Sequence, residues 1–391
     1  VNHIRSRLAD LVRQQQARMS GGASPAAGDG DLVELMDFGA NPGVLRMLAH
    51  APQDLPTGAP LVVALHGCTQ TAGGYDRGTG WSALAAAGGF ALLLPEQRQA
   101  NNPNRCFNWF EPGDTTRGLG EVRSIHAAVE HLIATRGIDP ARVFVTGLSA
   151  GGAMASSLLA TYPEMFAAGA IIAGLPHGAA TSMPEAFQAM STGKPRAAAD
   201  WAALVRSASR HDGPWPRVSI WQGDADTTVR PANAEQLIRQ WGALHGTTGA
   251  PEQSGSGTRR TQLWRGADGR VVLEHHAIAG MAHGVPLDAA GGGEAGPFFL
   301  SVGVASTIEI AEFFGLPAEQ PAGRPATGRP AAPSPGAGTG ATAGRTIDQD
   351  GAPVSTAPKD DGFSLGGVRL SSIDPSGVIR KALTTAGLIK G

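Results

Sequence analysis

The sequence predicts a doubly wound, mostly parallel α/β sheet with helices on both faces. Three observations carry this. Short apolar runs recur along the chain, and those between Leu61 and Trp221 are apolar on both faces, as strands buried in a parallel sheet are. Segments with apolar residues at helical spacing lie between them. The two kinds of segment alternate, which is the pattern of βαβ units rather than of separate α and β blocks.

Strands are predicted at Leu45–Leu48, Leu61–Leu65, Phe90–Leu94, Val143–Val145, Ala170–Ala173, Val218–Trp221 and Val271–Ile278. A helix is predicted over Glu121–Arg136, where Val122, Ile125, Ala128, Val129 and Leu132 form one stripe. Further helices are predicted over Gly152–Thr161, Ala234–Leu244 and Val302–Phe314. This places one large globular domain at residues 31–316.

The flanks read differently. Residues 1–30 combine an amphipathic helix, with Ile4, Leu8, Leu11 and Val12 on one side, and a Gly/Ser/Pro-containing linker. Residues 317–370 are rich in Pro, Ala and Gly and carry few large apolar side chains, so they bury too little surface to offset ordering entropy. A disordered linker is expected there. A short helix is expected within 371–391, capped by Asp374 with Pro375 in its first turn.

Composition excludes several function classes. The 391 residues carry a net charge of −2, which offers no basic surface to nucleic acid. No apolar run approaches the ~20 residues that span a bilayer. The first twenty residues lack the continuous apolar stretch of a signal peptide. The two cysteines, Cys68 and Cys106, are too few for a metal site by themselves, and read either as buried thiols or as one disulfide.

Gly147-Leu148-Ser149-Ala150-Gly151 has the Gly-x-Ser-x-Gly spacing of a nucleophile elbow, a strained strand-to-helix turn that projects a serine hydroxyl. Gly362-Phe363-Ser364-Leu365-Gly366 has the same spacing but neither a strand before it nor a helix after it. Ser149 has both. A nucleophilic serine needs a base, and the base needs an orienting acid, in the chain order Ser, Asp, His. Asp226 lies far enough into the loop after Val218–Trp221 to reach across the strand ends. Asp224 sits nearer the strand, where it satisfies loop amides. His283 follows the last strand and is the best placed of eleven histidines. His275 and His276 lie within that strand and read as packed residues. His177 reads as a loop histidine and His66 as a brace for its loop. Oxyanion donors are expected at the N–H of Ala150, at a helix N-terminus, and of Cys68, in the loop after Leu61–Leu65.

These segments together resemble the polyhydroxybutyrate depolymerase family of esterases, which have the α/β-hydrolase fold. The resemblance is carried by Leu65-His66-Gly67-Cys68-Thr69-Gln70-Thr71, Pro95-Glu96-Gln97, Cys106-Phe107-Asn108-Trp109-Phe110 and the elbow through Met154. It continues in Gly223-Asp224-Ala225-Asp226-Thr227-Thr228-Val229 and Gly280-Met281-Ala282-His283. It implies a serine esterase with the triad Ser149, Asp226 and His283, and no metal or organic cofactor. It also implies a Cys68–Cys106 disulfide, hence an oxidising extracellular or periplasmic compartment, with a cytoplasmic location as the alternative because no signal peptide is visible, and Trp109 lining the substrate groove. The substrate implied is a hydroxyalkanoate ester. Gln222 stands where such enzymes often have a histidine, and Gly-Val-Pro follows His283 where an aromatic is common. No polymer-binding segment is recognisable after residue 316, which favours soluble oligomers over crystalline polymer. A feruloyl or acetylxylan-type esterase shares fold and triad. A serine peptidase and a non-catalytic binding domain are the remaining alternatives.

Overall fold

The computed structural model describes residues 31–317, apart from 248, 289 and 290, together with 364–365 and 368–369. The expected N-terminal helix at 1–30, nearly all of the 317–370 linker and the helix expected at 371–391 lie outside the described residues. In that C-terminal stretch Ser364–Leu365 pairs antiparallel with Val368–Arg369. Ser364 therefore sits in a strand pair and not in a strand–turn–helix.

The strands are β1 (Val33–Glu34), β2 (Arg46–His50), β3 (Ala59–Leu65), β4 (Ala91–Glu96), β5 (Ile138–Leu148), β6 (Ala168–Ile172), β7 (Arg217–Gly223), β8 (Glu252–Ser256), β9 (Arg259–Arg265) and β10 (Val271–Ile278). They form one sheet in the order β1-β2-β4-β3-β5-β6-β7-β10-β9-β8. From β4 to β10 every neighbouring pair is parallel. Antiparallel strands close both edges. β11 (Val285–Leu287) and β12 (Phe299–Ser301) make a separate parallel pair.

Alternation along each strand divides the core into two layers. In β3, Leu61, Val63 and Leu65 face one core while Val62 and Ala64 face the other. The first core is covered by helices α4 (Gly120–Arg136), α5 (Ala150–Thr161), α6 (Met183–Thr192), α7 (Ala198–Ala208) and α8 (Ala232–His245). The second is covered by α1 (Ala72–Thr79), α2 (Trp81–Gly88) and α9 (Ser306–Phe314). A four-residue helix, α3 (Pro112–Thr115), precedes α4. Fully buried Trp81, Trp201, Trp221 and Trp241 fill the two layers. Each large apolar side chain so buried stabilises the fold by roughly 1.5–3 kcal/mol.

Three differences from the sequence reading have physical causes. The β8–β9 hairpin is polar (Glu-Gln-Ser-Gly-Ser in β8) and forms one edge of the sheet, so no apolar run announces it. Helix α1 contains Gly73, Gly74 and Gly78, poor helix formers. Its ends hold it: the Thr71 hydroxyl accepts from Gly74 N–H at 3.1 Å, and Gly80 closes it in the left-handed region. Helix α9 begins at Ser306 rather than Val302. The N–H groups of Val302, Gly303 and Val304 turn to Leu287 O instead, with Gly303 at φ +71°.

Among the described residues no helix is long and apolar enough to cross a membrane.

Four buried histidines are folded in neutral form, one of them His66 in the loop after β3. Burial lowers His177, His245 and His275 to about 4. Each ring bonds through one nitrogen, to the Ser157 hydroxyl, Pro216 O and the Gln262 amide oxygen respectively. The unfolded chain takes these protons near pH 6.5, whereas the folded chain resists them until about pH 4. Their contribution to stability is complete above pH 6.5 and is lost as pH falls toward and through 4. Melting curves from pH 8 to pH 4 are expected to show Tm falling steadily below about 6.5, for a loss on the order of 3 kcal/mol per buried histidine. A flat Tm over that interval would contradict it.

Candidate active site

Ser149 joins β5 to α5 with φ +59° and ψ −117°, a strained conformation for a residue with a side chain. Such strain costs roughly 1–3 kcal/mol and persists where the surroundings over-determine it. Here they do. Ser149 N–H donates to Ile172 O at 2.9 Å, and its carbonyl accepts the first helical bond, from Ala153 N–H. The flanking glycines are steric necessities. A Cβ at Gly147 would meet Gly151 backbone at 2.5 Å, and one at Gly151 would meet Leu65 O at 2.4 Å and His66 O at 2.5 Å. The elbow is thereby pressed onto the end of β3. Every residue of α5 is buried, so its small side chains are a packing requirement.

The acid and histidine loops meet beyond β7 and β10. A Cβ at Gly223 would stand 2.1 Å from Met281 O, and Ala225 N–H donates to that same oxygen. This contact brings Asp226 to His283: the histidine Nδ1–H donates to Asp226 Oδ2 at 2.7 Å, with both residues nearly inaccessible. Asp226 Oδ1 accepts from the N–H groups of Thr228 and Val229, and Oδ2 also accepts from Gln222 Nε2 at 3.1 Å. Four donors thus fix the carboxylate, and the Nδ1–H tautomer leaves His283 Nε2 with its lone pair. Asp224 is exposed and accepts from Gly280 N–H at 2.6 Å. It buttresses the histidine loop and has no bond to the histidine.

The loop after β3 abuts the elbow. Gly67 N–H donates to the Gln70 side chain, Thr69 N–H to Asn104 O and Gln70 N–H to Gly67 O. Among the described residues the Cys68 N–H has no such acceptor. The Ala150 N–H opens a helix, where first-turn donors lack intrahelical partners. His66 is fully buried, donates from Nδ1 to Gly67 O at 2.7 Å and accepts at Nε2 from Gln97 N–H at 3.1 Å. Burial lowers it to about 4, so it braces this loop as a neutral ring.

Cys68 and Cys106 form a disulfide with an S–S distance of 2.06 Å. It ties the loop after β3 to the loop after β4. Trp109 lies in the latter, only 7% exposed, with its ring perpendicular to Phe110. Sequence reasoning missed what holds this second loop. Glu121, in the first turn of α4, is fully buried; it accepts from Asn108 N–H at 3.0 Å and from Gln97 Nε2. Gln97 Nε2 also donates to Cys106 O, and Asn102 bonds both Asn108 and Cys106 N–H. Burial, and then the neighbouring Asp114 carboxylate, holds the Glu121 carboxyl well above the ordinary range.

His177 is tied by its N–H and ring to Ser156, Ser157 and Gln240. His276 stacks on Trp221 and lies 3.1 Å from Glu274. Among the described residues no cluster of metal-ligating side chains occurs.

The sequence model described as Esterase PHB depolymerase matches residues 48–264, more than half of the chain. The chain belongs to the esterase PHB depolymerase family. Poly(3-hydroxyalkanoate) depolymerase C of Paucimonas lemoignei is 46% identical over 291 residues, covering 73% of this chain and 70% of that protein. Feruloyl esterase B of Neurospora crassa is 33% identical over 265 residues, covering 66% and 89%. Among solved structures, an acetyl xylan esterase from Aspergillus awamori superposes with a TM-score of 0.63 at 26% identity, over 73% of this chain and 99% of that one. The fold is that of the α/β-hydrolase esterases, and this family member is a carboxylic ester hydrolase acting on an ester substrate.

Glu121→Ala leaves Asn108 N–H without its acceptor and Gln97 Nε2 with only Cys106 O, so it should cost about 1–3 kcal/mol in denaturant unfolding and lower ester hydrolysis by loosening the Cys106 loop. A cost below about 0.5 kcal/mol would show that the loop is held by other means.

Proposed function

We propose that the chain is a serine esterase that hydrolyses short-chain hydroxyalkanoate esters, poly- or oligo-3-hydroxybutyrate, through an acyl-enzyme on Ser149. The observation that carries the mechanism is the His283 Nδ1–H bond to a fully satisfied Asp226, in a chain that also builds the strained elbow. Support for the substrate class comes from the 46% identity to a protein named for poly(3-hydroxyalkanoate).

In this reading Ser149 Oγ attacks the ester carbonyl as His283 Nε2 takes its proton. Asp226 keeps the imidazole in the tautomer that allows this and stabilises the imidazolium that forms. The N–H groups of Cys68 and Ala150 receive the oxyanion, where one donor is worth about 10²–10³ in rate. His283 then gives the proton to the departing alkoxide. Water, activated by the same nitrogen, hydrolyses the acyl-enzyme. Trp109 lines the acyl side of the groove. Every step uses the chain's own groups. The disulfide supports work in an extracellular or periplasmic compartment.

The second reading is a carbohydrate esterase that removes feruloyl or acetyl groups, favoured by the likeness to feruloyl esterase B and to the acetyl xylan esterase structure.

Hydrolysis of 3-hydroxybutyrate oligomers, p-nitrophenyl butyrate, methyl ferulate and acetylated xylan separates the two. The expected result is that the wild type cleaves the first two fastest and Ser149→Ala cleaves none. Faster turnover of the feruloyl or xylan ester would transfer the assignment to the second reading. The acid has its own test. Asp226→Asn is expected to lower kcat by roughly 10⁴, and Asp224→Asn by no more than roughly tenfold, the worth of one loop hydrogen bond. The reverse ranking would remove Asp226 from the triad.

A further inference from the structure

Phe298 occupies a position that its turn would ordinarily give to glycine. Gly296, Pro297, Phe298 and Phe299 form a reverse turn closed by a 2.9 Å bond from Phe299 N–H to Gly296 O, with proline second and Phe298 third at φ +68°. A positive φ at the third position calls for glycine or asparagine, and a bulky residue there is an outlier. The backbone on either side is fixed. Gly296 N–H returns to Phe299 O, and Phe298 O accepts from Val285 N–H at 2.8 Å. Gly284 has to be glycine because a Cβ would meet Phe298 O at 2.7 Å. So the chain immediately after His283 is built around the Phe298 carbonyl. The result is a partly buried aromatic ring set perpendicular to the His283 imidazole, with centroids 6.2 Å apart.

We propose that Phe298 is a specificity residue: its ring forms the wall against which the leaving alcohol of the ester lies. This rests on the esterase reading above. The oxygen that His283 protonates is the alkoxide oxygen, which must come within ~3 Å of Nε2. Asp226 already occupies the Nδ1 edge of the imidazole. Substituents on that oxygen must therefore leave past another side of the imidazole, and the Phe298 ring is the aromatic that flanks it, with centroids 6.2 Å apart. An apolar wall favours alcohols with carbon beyond the ester oxygen, as a hydroxyalkanoate chain has, over methanol.

The reaction itself supplies the test, because the alcohol is gone once the acyl-enzyme has formed. Methyl butyrate, p-nitrophenyl butyrate and the butyryl ester of 3-hydroxybutyrate share one acyl group and hence one butyryl-enzyme. In Phe298→Leu and Phe298→Gly, acylation by the two larger alcohols' esters should fall by roughly ten- to a hundredfold, the range for lost apolar pocket contacts. Acylation by the methyl ester should change by less than about threefold, and deacylation should not change. Glycine suits the turn's backbone, so that variant separates loss of the ring from loss of the fold. An equal fall for all three esters with slower deacylation would mean that the ring only supports His283, and no change for any ester would mean that it touches no substrate. Either overturns the assignment. The esterase reading fails separately, if the wild type cleaves none of the three.

Discussion

Helix α5 is driven so far onto the end of β3 that no side chain fits between them: a Cβ at Gly151 would stand 2.4 Å from Leu65 O. The rest of the active site depends on this contact. It forces the chain to turn within one residue, which places Ser149 at φ +59°. It also sets the first free amides of α5 against the loop that starts at His66, so two donors from distant parts of the chain belong to one small region. A helix that began with bulky side chains could not approach this closely, and α5 accordingly opens with Ala150, Gly151, Gly152 and Ala153.

The same device recurs at the other loop pair. Gly223 allows the acid loop to touch the Met281 carbonyl, and Gly284 allows the histidine loop to touch Phe298. Positive φ values at Ser149, Thr69 and Phe298 fall at these junctions. Each costs roughly 1–3 kcal/mol, which two layers of buried side chains can offset. Loops between close-packed glycines have few alternative conformations. That rigidity lets a 2.7 Å bond between Asp226 and His283 persist across 57 residues of sequence.

The parts of this arrangement legible in the sequence are those with local signatures. The buried parallel strands announce themselves as apolar runs, and the elbow as glycines at fixed offsets from a serine. Asp226 and His283 follow because the fold dictates that their loops come after particular strands. What the sequence hid is what depends on distant partners. Glu121 looks like an ordinary first-turn acid of a helix, yet it is fully buried and holds Gln97 and Asn108. Phe298 stands in a glycine-rich stretch with no periodicity, and only the folded chain sets it beside His283. The polar β8–β9 hairpin escaped because its strands lack an apolar face.

Strand order sets what stands on either side of Ser149. Ser149 leaves β5, which lies mid-sheet. On the β3–β4 side stand Cys68, the disulfide and the Trp109 loop; on the β7–β10 side stand Asp226, His283 and Phe298. In the proposed reaction the carbonyl oxygen must turn toward Cys68 N–H and the leaving oxygen toward His283. An ester bond bound across β5 has to lie with its acyl portion to one side and its alcohol to the other. The two sides are also held differently. The acyl side is fixed by a covalent bridge and by a buried polar network around Glu121. The alcohol side is fixed by glycine-mediated backbone contacts and a strained aromatic turn. In the proposed reaction, substrate choice on the two sides is set by separate structural elements, and discrimination among alcohols would change at Phe298 without disturbing the two N–H groups proposed for the oxyanion.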